Sequence, residues 1–399
     1  MSAFEHLSDA ELFDLVVRSR AAGSDVGAAL GTLCQRWKRP AAVVVRRIQA
    51  SYRAGSPDDE EELFQEAVRK FVEKLRAEGP IQVCYEAGGC GYVLQRALTS
   101  WGIPCEVIAP SLIPKKPGDR RKTDARDAAS LATLYRAGQL TPVHVPTPDE
   151  ERVRALTRAR QTFTRDLHES KQHVLKFLLA QGHKFEAGKK AWTHAFHRWL
   201  TGLIPTLHPL EQTILQAYLS ALEHKQLLRD GLDEQIQKVS KDGTYADPVA
   251  RLRCLRGIDT LTAVSLVAEI GDIRRFETPG RLMGYLGLNV SEHSSGNSER
   301  RGGITKAGNS RCRRLLVEAA WNYRHAARDS AKIRSRRQGQ STQVITCALR
   351  AQERLHARFV RLLARMPSQK AVTAVARELV GFVWAQLMGT PQALAARVR

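Results

Sequence analysis

IQVCYEAGGCGYVLQRALTSWGIPCEVIAP, residues 81–110, is where the hydrophobic period of this chain changes. IQVCYEAG (81–88) and PCEVIAP (104–110) are short apolar runs of strand length, bounded by Gly and Pro. Between them GYVLQRALTSWG (91–102) spaces its apolar residues as a helix does and closes on glycine. Strand, helix and strand in one short stretch make a β-α-β unit, and ligands of such sheets gather at the carboxyl ends of the strands. Glu86 stands at that edge, at the end of the first strand.

Immediately downstream, SLIPKKPGDRRKTDARDAASLA (111–132) holds five cations, Lys115, Lys116, Arg120, Arg121 and Lys122, ahead of a helix expected from about Asp124 to Ala137. Asp124 and Asp127 are three apart, so on a helix they share a face. With Glu86 they offer three hard oxygen ligands beside a basic loop, the donor set that Mg²⁺-assisted phosphoryl transfer needs. D-x-x-D at a helix start is also ordinary dipole chemistry, and spacing does not separate the two.

Upstream, residues 7–78 read as helices. Ser8 with Glu11 forms a capping box, and Ser56-Pro57-Asp58-Asp59 caps a helix whose Leu63, Phe64, Ala67, Val68, Phe71, Val72 and Leu75 recur at helical spacing. Downstream, Thr147-Pro148-Asp149-Glu150 caps a helix running to about Leu179, and a second helical stretch runs from Pro209 to about Val239. Two long helices joined through 192–205 fit an antiparallel hairpin or coiled-coil spacer, and fit an ordinary helical bundle equally. From 248, LRCLRGIDTLTAVSLVAEIGDIRRF places a glycine-bearing turn between two short apolar helices. That pattern matches a helix-hairpin-helix, which meets phosphate at its turn, and also a plain αα-hairpin with Gly257 as a turn residue. Between Asn297 and Arg337 stand twelve Lys or Arg against three Asp or Glu, a net of +9, with Trp321 and Tyr323 interleaved.

The whole chain repeats that bias. Its 399 residues carry 62 Lys or Arg and 41 Asp or Glu, a formal net charge of +21, which favours a polyanionic partner and makes nucleic acid the leading one. No run approaches the roughly 18 apolar residues of a membrane span, and MSAFEHLSDAEL is acidic and amphipathic, unlike a signal peptide. A cytoplasmic protein without a membrane partner is expected. Seven cysteines (34, 84, 90, 105, 254, 312, 347) lack zinc-ligand spacing and read as buried thiols of a reducing compartment.

Several longer stretches carry a family resemblance. CYEAGGCGY, VIAPSLIPKKPGDRRKTDARDA, LYRAGQLTPVHVP, GIDTLTAVSLVAEIGD, RRFETPGRLMGYLGL, SEHSSG and GGITKAGNSRCRRLLVEAAWNYR, in this order over roughly 65–345, closely resemble the DEDD-type insertion-sequence transposases of the Piv DNA invertase group. The resemblance implies an RNase-H-like (RuvC-like) domain whose acidic residues bind Mg²⁺, here Glu86, Asp124 and Asp127. It also implies a carboxy-terminal domain with a serine nucleophile, here Ser295 in preference to Ser294. DNA, a noncoding guide RNA and further copies of the chain, as a dimer or tetramer, are the implied partners. A serine in a basic, Gly-rich loop attacks a phosphodiester when its proton is removed and the oxyanion is clamped by metal and arginine. Lys306, Arg311, Arg313 and Arg314, with the loop cations and Gly257, are the expected nucleic-acid contacts.

One element of the pattern is missing. The family's first acidic residue belongs to an opening strand, and the nearest stretch, AAVVVRRIQA (41–50), has Arg46 and Arg47 there. LSDAELFDLVVRS, ALGTLCQRWKRPAAVVVRRIQ and DDEEELFQEAVRKFVEKL instead resemble region two of bacterial sigma factors, with Glu62, Gln65 and Glu66 in the stretch that docks on RNA polymerase. The expected architecture is therefore mixed α/β and mostly helical, as a fusion joined between about 60 and 80. It comprises a sigma-like segment (1–78), a truncated RuvC-like α/β unit (79–146), a long helical spacer (147–245), a transposase domain with a helix-hairpin-helix-like element (246–345) and terminal helices (346–399). Two functions follow: a transposase or recombinase exchanging DNA strands, or a catalytically silent, nucleic-acid-bound regulator that contacts polymerase.

Overall fold

The computed structural model describes residues 68–70, 72–77, 79–114, 124–186, 190–292 and 301–395, without the side chains of residues 124, 125 and 301. The chain is mostly helical and divides into two compact units, residues 1–145 and 146–399.

In the first unit β1 (Val83–Glu86) and β2 (Cys105–Ile108) pair in parallel, with Val83 opposite Cys105 and Glu86 opposite Ile108. The crossover between them is α1 (Val93–Ser100), which ends at Gly102, φ +73°, with the Ile103 amide returned to the Leu98 carbonyl. Alternation along the strands sorts their side chains to two faces. Tyr85 and Val107 pack with Leu94, Leu98, Ile103, Val68 and Val72 on one face, while Cys84 and Ile108 meet Leu131 of α2 (Asp124–Arg136) on the other. Past β2 the chain returns beside that strand, with Ile108 bridged to Pro142 in antiparallel sense. Among the described residues β1 pairs with β2 alone.

The second unit opens on α3 (Pro148–Ala180) and α5 (Pro209–Val239), linked through α4 (His194–Leu203). Each long helix starts on a capping box followed by proline. Thr147 and Glu150 exchange hydrogen bonds at 3.2 and 2.8 Å, and His208 does the same with the first turn of α5. Arg160 meets Asp233, Ser170 meets Lys225, and Phe177 meets Tyr218, so partner numbers run in opposite directions and the helices form an antiparallel hairpin. Leu167, Val174, Leu178, Leu215 and Leu222 fill its seam. Phe196 and Leu200 of α4 close the tip, where Phe196 stacks against Phe185, Trp192 and Trp199.

The remainder is a helical domain: α6 (Ala246–Arg253), α7 (Thr260–Ile270), α8 (Pro279–Tyr285), a hairpin of β3 (Val290–Glu292) and β4 (Arg301–Ile304), α9 (Ser310–Ala320), α10 (Ala331–Arg337), α11 (Thr342–Leu363), α12 (Ser368–Met388) and α13 (Pro391–Ala395). Helix α12 is the axis of this core. It is long and apolar enough to cross a bilayer, which the sequence reading did not expect, yet 67% of its most apolar window is buried against the protein. It packs on α6, α8, α9 and α11, with Val375, Ala376, Leu379, Val380 and Val383 fully enclosed. Of the cysteines expected to be buried, Cys84, Cys254, Cys312 and Cys347 are, whereas Cys105 is half-buried and Cys90 is exposed.

Candidate active site and nucleic-acid interface

The first candidate site lies at the carboxyl edge of the small sheet. Glu86 is the last residue of β1, half-buried, and Asp127 is half-buried on α2. Leu131 of α2 meets Cys84 and Ile108, and one turn later Tyr135 lies near Glu106, further back along β2. Helix α2 therefore runs from the carboxyl ends of the strands towards their amino ends, and its first turn, Asp124 to Asp127, belongs to the edge that Glu86 marks. Asp124 lies there by backbone position, with its side chain outside the described residues. No cluster of three His, Cys, Asp or Glu side chains forms among the described residues. The loop cations Lys115, Lys116, Arg120, Arg121 and Lys122 and the amino-terminal residues Glu62, Gln65 and Glu66 also lie outside them.

The second candidate site is the β3–β4 hairpin. Glu292 pairs with Arg301, so residues 293–300, which include Ser294 and Ser295, are the connection between two antiparallel strands. Those eight residues lie outside the described ones, but the base beneath them is described and closely bonded. The Thr305 amide donates to the Asn289 carbonyl and the Lys306 amide to Gly287, with Lys306 held at φ +56°. Gly308 follows at φ +71°, where a Cβ would come within 1.9 Å of the Tyr285 carbonyl oxygen, so only glycine lets the two segments touch. Arg313 donates from Nη1 to the carbonyls of Leu286 and Ala307, at 2.8 and 3.0 Å. Arg314 pairs with Glu318 at 2.6 Å, while Lys306 is exposed. Of the four cations of this unit expected to contact nucleic acid, three thus hold protein groups as well, Arg311 through the carboxylate described next.

Sequence reasoning missed the charged centre of this unit, Glu269, which is 1% exposed. Its carboxylate accepts two hydrogen bonds from Arg158 of α3, at 2.8 and 2.9 Å, and one from Asn309 Nδ2 at 2.9 Å, with Arg311 Nε 3.4 Å away. Arg154 donates to the Ala268 carbonyl at 2.6 Å. Burial alone would push the Glu269 carboxyl up, but the bonds from Arg158 and Asn309 and the charges of Arg158 and Arg154 outweigh it and hold it below its ordinary value. Asn309 also caps α9, its Oδ1 accepting the Cys312 amide at 3.0 Å. One residue thereby ties α7, the long hairpin and the helix that carries Arg311, Arg313 and Arg314. The only trace in sequence was a Glu in the apolar run LTAVSLVAEI.

Between α6 and α7 the chain makes the glycine turn anticipated from LRGIDT. Gly257 stands at φ +83°, and a Cβ there would lie 2.3 Å from the Ala319 carbonyl oxygen at the end of α9. Asp259 caps α7, accepting the Thr262 amide at 2.8 Å.

Both halves match known families. Residues 42–181 match the DEDD transposase model of the IS110 type, and residues 249–336 match the model described as "Transposase IS116/IS110/IS902 family". The chain is 43% identical over 328 residues to "Putative transposase y4qE" of Sinorhizobium fredii, covering 82% of this chain and 80% of that one. It is 34% identical over 296 residues to the transposase for insertion sequence element IS1533 of Leptospira borgpetersenii, covering 73% of this chain and 85% of the relative. The fold and both sites thus sit within insertion-sequence transposases. The chain belongs to the IS110/IS116/IS902 family of DEDD transposases. The first match begins at residue 42, inside the stretch that resembles a sigma factor and upstream of the expected junction.

Proposed function

We propose that the protein transposes its insertion sequence by Mg²⁺-assisted DNA strand exchange with Ser295 as nucleophile. The attack forms a bond from Ser295 Oγ to phosphorus and breaks a phosphorus–oxygen bond to sugar, leaving a phosphoserine link and a free hydroxyl. Glu86, Asp124 and Asp127 would hold the metal, whose charge stabilises the oxyanion that develops. Their fit rests on donor chemistry: hard carboxylate oxygens at the ligand-binding edge of a parallel sheet. Lys306 and Arg311, beside the base of the serine hairpin, supply positive charge for the phosphate. A noncoding RNA pairing with donor and target DNA, and assembly of the site from more than one copy of the chain, complete the reading. A second copy would supply the first acidic ligand of the family's set, where AAVVVRRIQA (41–50) offers Arg46 and Arg47.

The observation that best supports this reading is the bonded base at 305–313, which anchors a serine-bearing connection beside cations and ties it through Asn309 to Glu269. The polymerase-contacting alternative is not favoured, because Glu62, Gln65 and Glu66 fall within the span matched by the DEDD transposase model. An in vitro reaction with Mg²⁺, the element's ends and its own RNA tests the proposal. Wild type should join strands, Ser295→Ala should not, and Glu86→Gln should slow the reaction by several orders of magnitude. Equal product from wild type and Ser295→Ala would refute the nucleophile.

A further inference from the structure

Away from the serine hairpin, a groove crosses the α6–α7 turn where α10 packs beside it. It consists of two adjoining hollows of about 360 and 450 Å³ that share Asp259, Lys332 and Arg336 in their walls. Arg253 lines the first and Arg256 the second. Four cations therefore face one carboxylate, and that carboxylate is engaged as the cap of α7. Arg256 is fixed by the carbonyls of His325, Ala326 and Arg328, and Arg336 by the Ile258 carbonyl at 3.0 Å. Among the described residues Arg253 and Lys332 form no ion pair with an acidic group, and the buried Arg253 Nε meets no acceptor there. Burial lowers the Arg336 pKa, and the like charge of Arg253 lowers it further. Like charges crowded in a concave site, one of them with an unsatisfied buried donor, cost stability unless an anion arrives. Thr260 and Leu261, at the amino end of α7, line the same hollow, so the helix dipole adds to the attraction.

The lining also indicates which anion. Thr260, Ser330, Ser335 and Asn322 offer neutral donors of the kind that phosphate oxygens accept, and His325 is the sole aromatic ring lining either hollow. A single strand is held largely by stacking its bases on aromatic rings, whereas a duplex keeps its bases paired and presents phosphates. We propose that this groove grips the phosphate backbone of duplex DNA, with Arg253 and Lys332 as the principal contacts. This rests on the transposase reading and adds a holding site apart from the hairpin. Helix α9 connects the two: its first turn carries Arg311 beside Glu269, and its last residues support Gly257. The eleven residues of α9 make roughly 16 Å at about 1.5 Å each, so both contacts reach one duplex.

The test uses the full chain and a 30-base-pair duplex, roughly 100 Å long at about 3.4 Å per pair and ample to span both contacts, with single-stranded DNA and single-stranded RNA of matching sequence as further arms. Binding is measured across a salt series for wild type, Arg253→Gln with Lys332→Ala, and Lys332→Glu alone. Lys332 is exposed, so its reversal leaves folding intact, and Lys370→Ala on α12 serves as a charge control. Losing two phosphate contacts should flatten the slope of log K against log salt by roughly two for the duplex, with a smaller effect on either single strand. Lys332→Glu should weaken duplex binding at least about tenfold beyond Lys370→Ala. Unchanged slopes in both variants, with wild type binding normally, would overturn the groove and leave the transposase reading standing. A loss confined to single strands would overturn the duplex assignment. Wild type that binds no nucleic acid would remove the transposase reading as well.

Discussion

Glu269 shows what one buried carboxylate does in so basic a chain. Two hydrogen bonds from Arg158, one from Asn309 and the nearby Arg311 fix three separate elements on a single side chain. Removing Glu269 leaves Asn309 and the mostly buried Arg311 without their partner while the half-exposed Arg158 turns to water, so the cost should fall at or below the about 3–5 kcal/mol typical of a broken buried pair. Glu269→Ala should lower the melting temperature accordingly, and Asn309→Ala should cost less, about 1–2 kcal/mol, through its cap and one bond. The depressed Glu269 value has a definite sign. Its stabilisation is complete above the unfolded-chain value of about 4.3 and is lost as pH falls through the lower, folded value. Melting profiles of wild type should therefore drop on the acid side below about pH 4, and Glu269→Gln should flatten that drop. A variant as acid-sensitive as wild type would place the effect elsewhere. Gly257 carries a different constraint. Alanine there meets both a positive φ and the Ala319 carbonyl, so Gly257→Ala should destabilise the domain by more than about 1 kcal/mol, read by chemical denaturation.

At the scale of elements, the long hairpin is held by a narrow apolar seam and by its closed tip. Phe196 is fully buried against Phe185, Trp192 and Trp199, and Phe196→Ala should cost about 3–5 kcal/mol. Hydrogen exchange should then rise first in the tip-proximal ends of α3 and α5, and exchange confined to the base of the hairpin would contradict this account. These helices were the most legible part of the sequence, because Thr147-Pro148 and Pro209 announce their starts through local capping chemistry. The β-α-β unit was legible for the same reason, through period and glycine. The Glu269 network was not, since Arg158 and Glu269 are 111 residues apart and no local pattern links them. Nor was the central place of α12: its composition marks it as apolar, while only tertiary packing makes it the core. The α6–α7 turn was legible as a turn, but two of the four cations converging on it, Lys332 and Arg336, come from α10, which sequence separates from it.

For the molecule as a whole, the charge of +21 finds its outlet in surfaces rather than in the fold. Many arginines of the second unit hold carbonyls and carboxylates, whereas Arg253, Lys306 and Lys332 are the cations proposed to meet phosphate. A chain of this kind should bind DNA with a steep salt dependence, losing affinity between about 50 and 200 mM salt by orders of magnitude. Weak dependence would mean that its positive charge is spent internally. Under the proposed function, chemistry depends on the carboxylates of the small sheet and the serine of the hairpin. The most direct measurement is to run strand exchange with Mg²⁺ and the element's RNA, quench it under denaturing conditions, digest the protein and map the peptide that remains linked to DNA. The account predicts a phosphodiester on Ser295 in wild type and none in Ser295→Ala. DNA linked to another residue, or complete strand exchange with no linked peptide, would contradict it.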